Sequence, residues 1–277
     1  MGNKGNGQGE FQQPMGIALD PVGNLYVADA GNDRVQKLGP RGEYIEEIGT
    51  FGWDPGQFNR PVDVATSSGG LEVYVADSRN NRIQVLSPHF RVLGLLGGRD
   101  VEGPLRLGTL GGIAVSDIGE IIVTDTDIDQ VFQIDTYSLA ERSYGGQGFG
   151  AGRVRLPAGI AAGKMVYVCD TENDRIAVFD RFGGFERSLG EGSLSGPHGV
   201  CLGPSRSLFV ADTGHNRVLV FDLDTGEVVQ KIGGPDPGAL GGSFREPQAV
   251  GVHGDLLYVT DTGNHRIQRF RMLVLRK

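Results

Sequence analysis

The sequence predicts an all-β fold: a six-bladed β-propeller of four-stranded antiparallel blades, with the completeness of the last blade left open. Three observations carry this. A hydrophobic strand ending in Asp and turning back through a polar loop recurs six times: LYVADAGNDRV, VYVADSRNNRI, IIVTDTDIDQV, VYVCDTENDRI, LFVADTGHNRV and LYVTDTGNHRI. Its aspartates are Asp29, Asp77, Asp125, Asp170, Asp212 and Asp261, at steps of 48, 48, 45, 42 and 49 residues. Units of that length holding several short strands stack radially, because one unit alone cannot bury its apolar faces. Finally, no window shows sustained helical spacing of apolar residues, and the 46 glycines cluster between the hydrophobic runs, where tight turns need them. The repeats run from end to end, so residues 1–277 are expected to form a single domain.

Each unit reads in the same order. A glycine-rich loop leads to Pro and a short apolar strand a, as in PMGIALD (Pro14 to Asp20). Strand b follows and ends in the Asp. Two residues before that Asp stands Val in all six copies; three before it stands Tyr26, Tyr74, Ile122, Tyr167, Phe209 or Tyr258. Apolar residues on both pleat faces predict that both faces are covered by neighbouring blades. Strand c, such as RVLVFD (Arg217 to Asp222), begins with Arg in five copies, and strand d, such as VVQKIGG, completes the blade. The Asp can accept turn amides, and the Arg five residues on can lie across the turn or reach the next blade. Recurring once per blade, the pair reads as scaffold. Cys169 and Cys201 occupy positions held elsewhere by small residues and read as inert core thiols.

Net charge is −8 with a pI near 5.2, which argues against whole-surface attraction to nucleic acid or anionic lipid. The apolar runs are far short of a membrane span, and the N-terminus has no signal-peptide core; a soluble chain is expected, with its compartment unassigned.

The run YVADxxNxRI after FxxPxGIAxD resembles the NHL repeat, and six copies over residues 11 to about 271 resemble an NHL six-bladed propeller. Two departures stand out. Blade 3 has Gln130 in place of Arg, Leu110 in place of Pro, and the acidic cluster Asp125, Asp127, Asp129. Blade 6 leaves no room for strand d before residue 277, so the tail MLVLRK or residues 1–9 supply a fourth strand, or the blade has three. The resemblance also implies that such a propeller can belong to a larger protein.

Antiparallel order places the d–a loops and b–c turns on one rim, with the start of strand a nearest the central channel. There Asp63, His198 and Gln248 are candidates to hold a small polar ligand or to line a wet mouth. The resemblance extends to a peptide-amidating lyase whose zinc is held by Pro-His motifs in several blades. Pro197-His198 is the one match here, and one histidine does not make a zinc site. No nucleophile elbow or phosphate loop is present, so neither a cofactor nor a metal is expected, and the reading leans away from an enzyme.

NHL propellers use this rim for RNA or protein partners. The candidate binding face carries Arg60, Arg99, Arg106, Arg153, Arg155 and Arg245 on d–a loops, Arg79 on a b–c turn, and the aromatics Phe51 and Trp53. Formal charge by blade runs from −5 in blade 3 to +3 in blade 6, which breaks any continuous basic track. The expectation is a non-enzymatic scaffold that binds a protein, with Trp53 and the arginines as a hot spot or with Trp53 folded over its own loop. RNA binding is the alternative, and a small-molecule lyase or hydrolase the third reading. DNA and membrane partners are not expected, and the domain is expected to be monomeric.

Overall fold

A computed structural model describes residues 1–98, 105–136, 141–234, 238 and 241–272. Blade 1 is β1 (Pro14–Leu19), β2 (Leu25–Asp29), β3 (Arg34–Leu38) and β4 (Tyr44–Ile48). Blade 2 is β5 (Pro61–Thr66), β6 (Val73–Asp77), β7 (Arg82–Leu86) and β8 (Val92–Gly97); blade 3 is β9 (Leu110–Val115), β10 (Ile121–Asp125), β11 (Gln130–Ile134) and β12 (Glu141–Gly145). Blade 4 is β13 (Pro157–Ala162), β14 (Met165–Asp170), β15 (Arg175–Asp180) and β16 (Phe185–Leu189). Blade 5 is β17 (Pro197–Gly203), β18 (Ser207–Asp212), β19 (Arg217–Asp222) and β20 (Val228–Gly233); blade 6 is β21 (Pro247–His253), β22 (Leu256–Asp261) and β23 (Arg266–Arg271). Each is an antiparallel sheet in chain order, and neighbouring a strands pack around the ring, β21 against β1 included.

The strand-b pattern explains the stacking. In every interface the large residue of one blade meets the Val of the next: Tyr26 with Val75, Tyr74 with Val123, Ile122 with Val168, Tyr167 with Val210, Phe209 with Val259, and Tyr258 with Val27. All twelve are buried, and each of the six valines is 0% exposed. The core is therefore six interblade layers, and the ring closes because blade 6 presents Tyr258 to blade 1 as blade 1 presents Tyr26 to blade 2.

Among the described residues blade 6 has three strands. Residues 1–9 do not form a fourth, but Met1 reaches the outer side of β23: the Ile267 N–H donates to the Met1 carbonyl at 2.9 Å, and Met1 N donates back at 2.6 Å. Of the tail MLVLRK, all but Met272 lies outside the described residues.

Candidate functional site

The rim is built by the Asp that ends strand b. In blade 2, Asp77 accepts the Asn59 N–H at 2.8 Å, Asn80 Nδ2 at 2.9 Å and Arg82 Nε at 2.7 Å. The Arg82 guanidinium continues to the Trp53, Asp54 and Gln57 carbonyls, so it grips the d–a loop of its own blade and does not reach the next one. Arg34 does the same for the carbonyls of Asn6, Gly7 and Glu10, and Arg175 for those of Gly150 and Arg153. Burying a guanidinium is tolerable when carboxylate and carbonyls take up its donors. The motif thus holds a loop against its turn.

The same turns fasten blade to blade, a role that sequence reasoning missed. The residue before the Arg is Asp33, Asn81, Asp174, Asn216 or His265, and Asp129 holds that place before Gln130; all six have positive φ, between 51° and 55°. Short polar side chains tolerate that conformation. Five of them accept a main-chain N–H from the following blade: Asp33 from Arg60, Asp129 from Leu156, Asp174 from Gly196, Asn216 from Glu246, and His265 from Gln13. The hydroxyl after the strand-b Asp adds a second link in four blades, as where Thr262 Oγ1 donates to the Pro14 carbonyl at 2.5 Å. The signal was present in the repeat: Asp, Asn or His always at one place, and Ser or Thr at another in every blade but the first, which has Ala30.

On this fixed rim the d–a loops carry the exposed groups. Phe51 and Trp53 stand 58% and 56% exposed, with ring centroids 5.3 Å apart at 71°. Trp53 thus leaves more than half of its surface exposed while its ring sits edge-on to Phe51 of the same loop, and its carbonyl accepts from Arg82. Phe149, on the corresponding loop of blade 4, is also exposed and lies 4.7 Å from the Arg155 guanidinium, which pairs with Glu172 at 2.7 Å. Arg79, Arg106, Arg153 and Arg245 are exposed and Arg60 half-buried, its main chain tied to Asp33. Arg99 lies outside the described residues. Phe11, Phe58 and Phe244 are fully buried beneath the same loops.

A channel of about 360 Å³ runs down the axis, with Asp63, His198 and Gln248 among its lining. Below them the wall is apolar, including Ile17, Val64, Ile113 and Val200. The Asp63 carboxylate accepts the main-chain N–H of Val64 and that of Ile113 in blade 3, both at 2.9 Å. Enclosure among the blades still pushes it up to about 7, the two amides offsetting only part of the desolvation. Burial lowers His198, favouring the neutral ring, and Gln248 Oε1 is buried without a hydrogen-bond partner among the described residues. Around this level the a strands approach closely. A Cβ on Gly159 would sit 2.4 Å from the His198 carbonyl, and one on Gly199 would sit 2.3 Å from the Gln248 carbonyl, which is why glycine stands at four of the six equivalent positions, with Asp63 and Ala249 at the other two. Cys201 lines the same channel and Cys169 is fully buried; burial raises both thiols, Cys201 to about 12.

Blade 3 lacks the clamp. Asp125 accepts Gly108 and Asp127 amides, and with Gln130 in place of Arg its carboxyl is raised by burial and by the neighbouring Asp127 charge.

The fold and rim define a repeat propeller with one loop-bearing face. The NHL repeat profile matches residues 11–38, 58–86, 194–221 and 244–270, within blades 1, 2, 5 and 6. The chain thus carries four matched NHL repeats on a six-bladed β-propeller. NHL repeat-containing protein 2 of Bos taurus is 43% identical over 70 residues, a match covering 24% of this chain and 10% of that protein. The chain thus matches about a tenth of that relative's length. Among solved structures, a streptogramin B lyase superposes with a TM-score of 0.66 at 18% identity, covering 95% of this chain and 84% of its own. A nidogen/laminin complex gives 0.62 at 19% identity, covering 79% of each chain. At these identities the likeness shows the fold alone. No helix among the described residues is long and apolar enough to cross a membrane.

Proposed function

We propose that the chain is a non-enzymatic protein-binding platform, and that its partner docks on the d–a/b–c rim around Phe51 and Trp53. The observation that carries this reading is the exposure of two large aromatics on a loop whose backbone is clamped by Arg82. Rigid, exposed aromatics lose little entropy on binding, and truncating a docked Trp costs about 2 kcal/mol or more. Arg60, at the end of the same loop, and Arg79, on the b–c turn of the same blade, suit the margin of such a patch. The propeller likeness to a nidogen/laminin complex is compatible with a partner-binding role.

RNA is disfavoured by the same rim. Arg155 is already paired with Glu172, and the exposed cations are interleaved with carboxylates, so phosphates would meet no continuous track. A pull-down from source-cell lysate, with and without nuclease, separates the two. Wild type is compared with Phe51→Ser/Trp53→Ser and with Val22→Ser/Leu71→Ser on the opposite face. The platform reading expects a nuclease-resistant partner that the first double variant alone loses. A partner that vanishes with nuclease would replace it with the RNA reading.

A further inference from the structure

We infer that the central channel is a binding site for a small organic cation, a primary alkylammonium ion, with its charged head at Asp63 and its alkyl chain along the apolar wall below. The site is the channel and not the loop rim, and it stands whether or not the rim binds a protein.

The first observation is a carboxyl that the ring does not need. Two residues after the Pro or Leu that opens strand a, blades 1, 3, 4 and 5 have glycine and blade 6 has Ala249; blade 2 alone has Asp63. Five blades stack without an acid at that place. This one is enclosed by the blades, accepts only the Val64 and Ile113 amides, and has no Lys or Arg paired to it among the described residues. A carboxylate kept out of water without a counter-charge weakens a fold, and such sacrifices collect at ligand sites.

The second is what shares the channel with it. His198 and Gln248 line the wall one residue nearer the mouth, on blades 5 and 6. In a ring of six, blade 5 lies opposite blade 2. Burial keeps the His198 ring neutral, with one nitrogen free to accept, and Gln248 Oε1 has no hydrogen-bond partner among the described residues. An ammonium has three donors and no acceptor, which matches one carboxylate and neutral acceptors. Beneath Asp63 the wall is Ile17, Val64, Ile113, Ile160, Val200 and Val250, and a channel of about 360 Å³ takes a short alkyl chain. A lysine side chain of a protein would enter head first and leave that wall uncovered, so the wall favours a free amine.

Binding is coupled to a proton. With the Asp63 carboxyl raised to about 7, below that pH its O–H bond breaks on binding, the proton leaves to solvent, and the ammonium pairs with the carboxylate. The other titratable groups lining the channel are the neutral His198 and Cys201, raised to about 12; Cys169, buried nearby, is raised as well. Of the strands packed on β5, β1 and β9 carry no titratable side chain. On β2 and β6, Asp29 and Asp77 are held by Arg34 and Arg82, and Tyr26 and Tyr74 lie in the interblade layers. Arg79, in the turn after β6, is exposed.

The test is calorimetric titration of the full chain with n-pentylamine, about one pH unit above the Asp63 value and about one below, where the amine stays charged. Methylamine, 1-pentanol and the Asp63→Asn variant are the comparisons. Saturable binding of one pentylamine is expected, tighter by about fourfold for each methylene added to methylamine. Pentanol, and pentylamine on Asp63→Asn, should bind about tenfold more weakly or worse. The lower pH should weaken wild type about tenfold with release of a proton, and leave Asp63→Asn unchanged. Methyl resonances of Ile17 and Ile113 should shift. No saturable binding would overturn the proposal. So would equal affinity for pentanol or on Asp63→Asn, which would make the channel an apolar cleft alone, or affinity indifferent to chain length, which would move the amine to a surface carboxylate.

Discussion

Gln13 and His265, 252 residues apart in sequence, are joined across the seam where the ring closes: the Gln13 main-chain N–H donates to His265 Nδ1 at 3.0 Å. The other interblade links of this kind use Asp or Asn, which accept over a wide pH range. The seam alone uses an acceptor that acid removes.

Burial and the nearby Lys4 hold His265 below its ordinary 6.5. A group with a lowered folded pKa supports the fold above its unfolded value and withdraws that support as the pH falls through the lowered one. Acidification below 6.5 should therefore weaken the seam in wild type. His265→Asn, which installs the residue found at Asn216, should be less sensitive. Thermal melts across this range check it; parallel curves would show that the seam does not titrate.

Asp63 works in the opposite sense. Its folded carboxyl is raised to about 7, so its support is fullest below the ordinary carboxylate range and is lost as the pH rises through 7. Asp63→Asn keeps an acceptor for the Ile113 N–H and removes the charge. It should gain stability over wild type at alkaline pH and little at acidic pH, as read from denaturant midpoints at both.

Val75 is fully buried against Tyr26 at the first interblade layer. Val75→Asp leaves a buried charge unpaired, at a cost of about 3–5 kcal/mol or more. Loss of the cooperative unfolding transition is expected; a well-folded variant would contradict the blade register.

Arg82 joins Asp77 to the Trp53 loop. Arg82→Ala strands a buried carboxylate and three carbonyls, which should cost about 3–5 kcal/mol. Fluorescence anisotropy of Trp53, the single tryptophan in the chain, should fall at temperatures where the variant is still folded. Unchanged anisotropy would mean that the loop holds itself.

The blades were legible because a period-2 pattern of large residue and Val can be satisfied only by covering both faces, and six copies repeat it. The rim was legible too, since antiparallel order puts d–a loops and b–c turns together. Less legible was where the Arg reaches: spacing allows either its own loop or the next blade, and the carbonyls of residues 53, 54 and 57 decide it. The interblade links were hidden because Asp33 or Asn216 reads as ordinary turn chemistry until the following blade is in place. The three described strands of blade 6 could be placed by counting from Asp261, but the pairing of Met1 with Ile267 depends on ring closure, which sequence spacing does not specify.

The most direct measurement is site-specific photo-crosslinking, with a benzophenone amino acid at position 53 and, in a second protein, at position 71 on the opposite face. The binding-platform account predicts a discrete, nuclease-resistant protein adduct from position 53 and none from position 71. Adducts from position 71 alone, or an adduct at 53 made of nucleic acid, would contradict it.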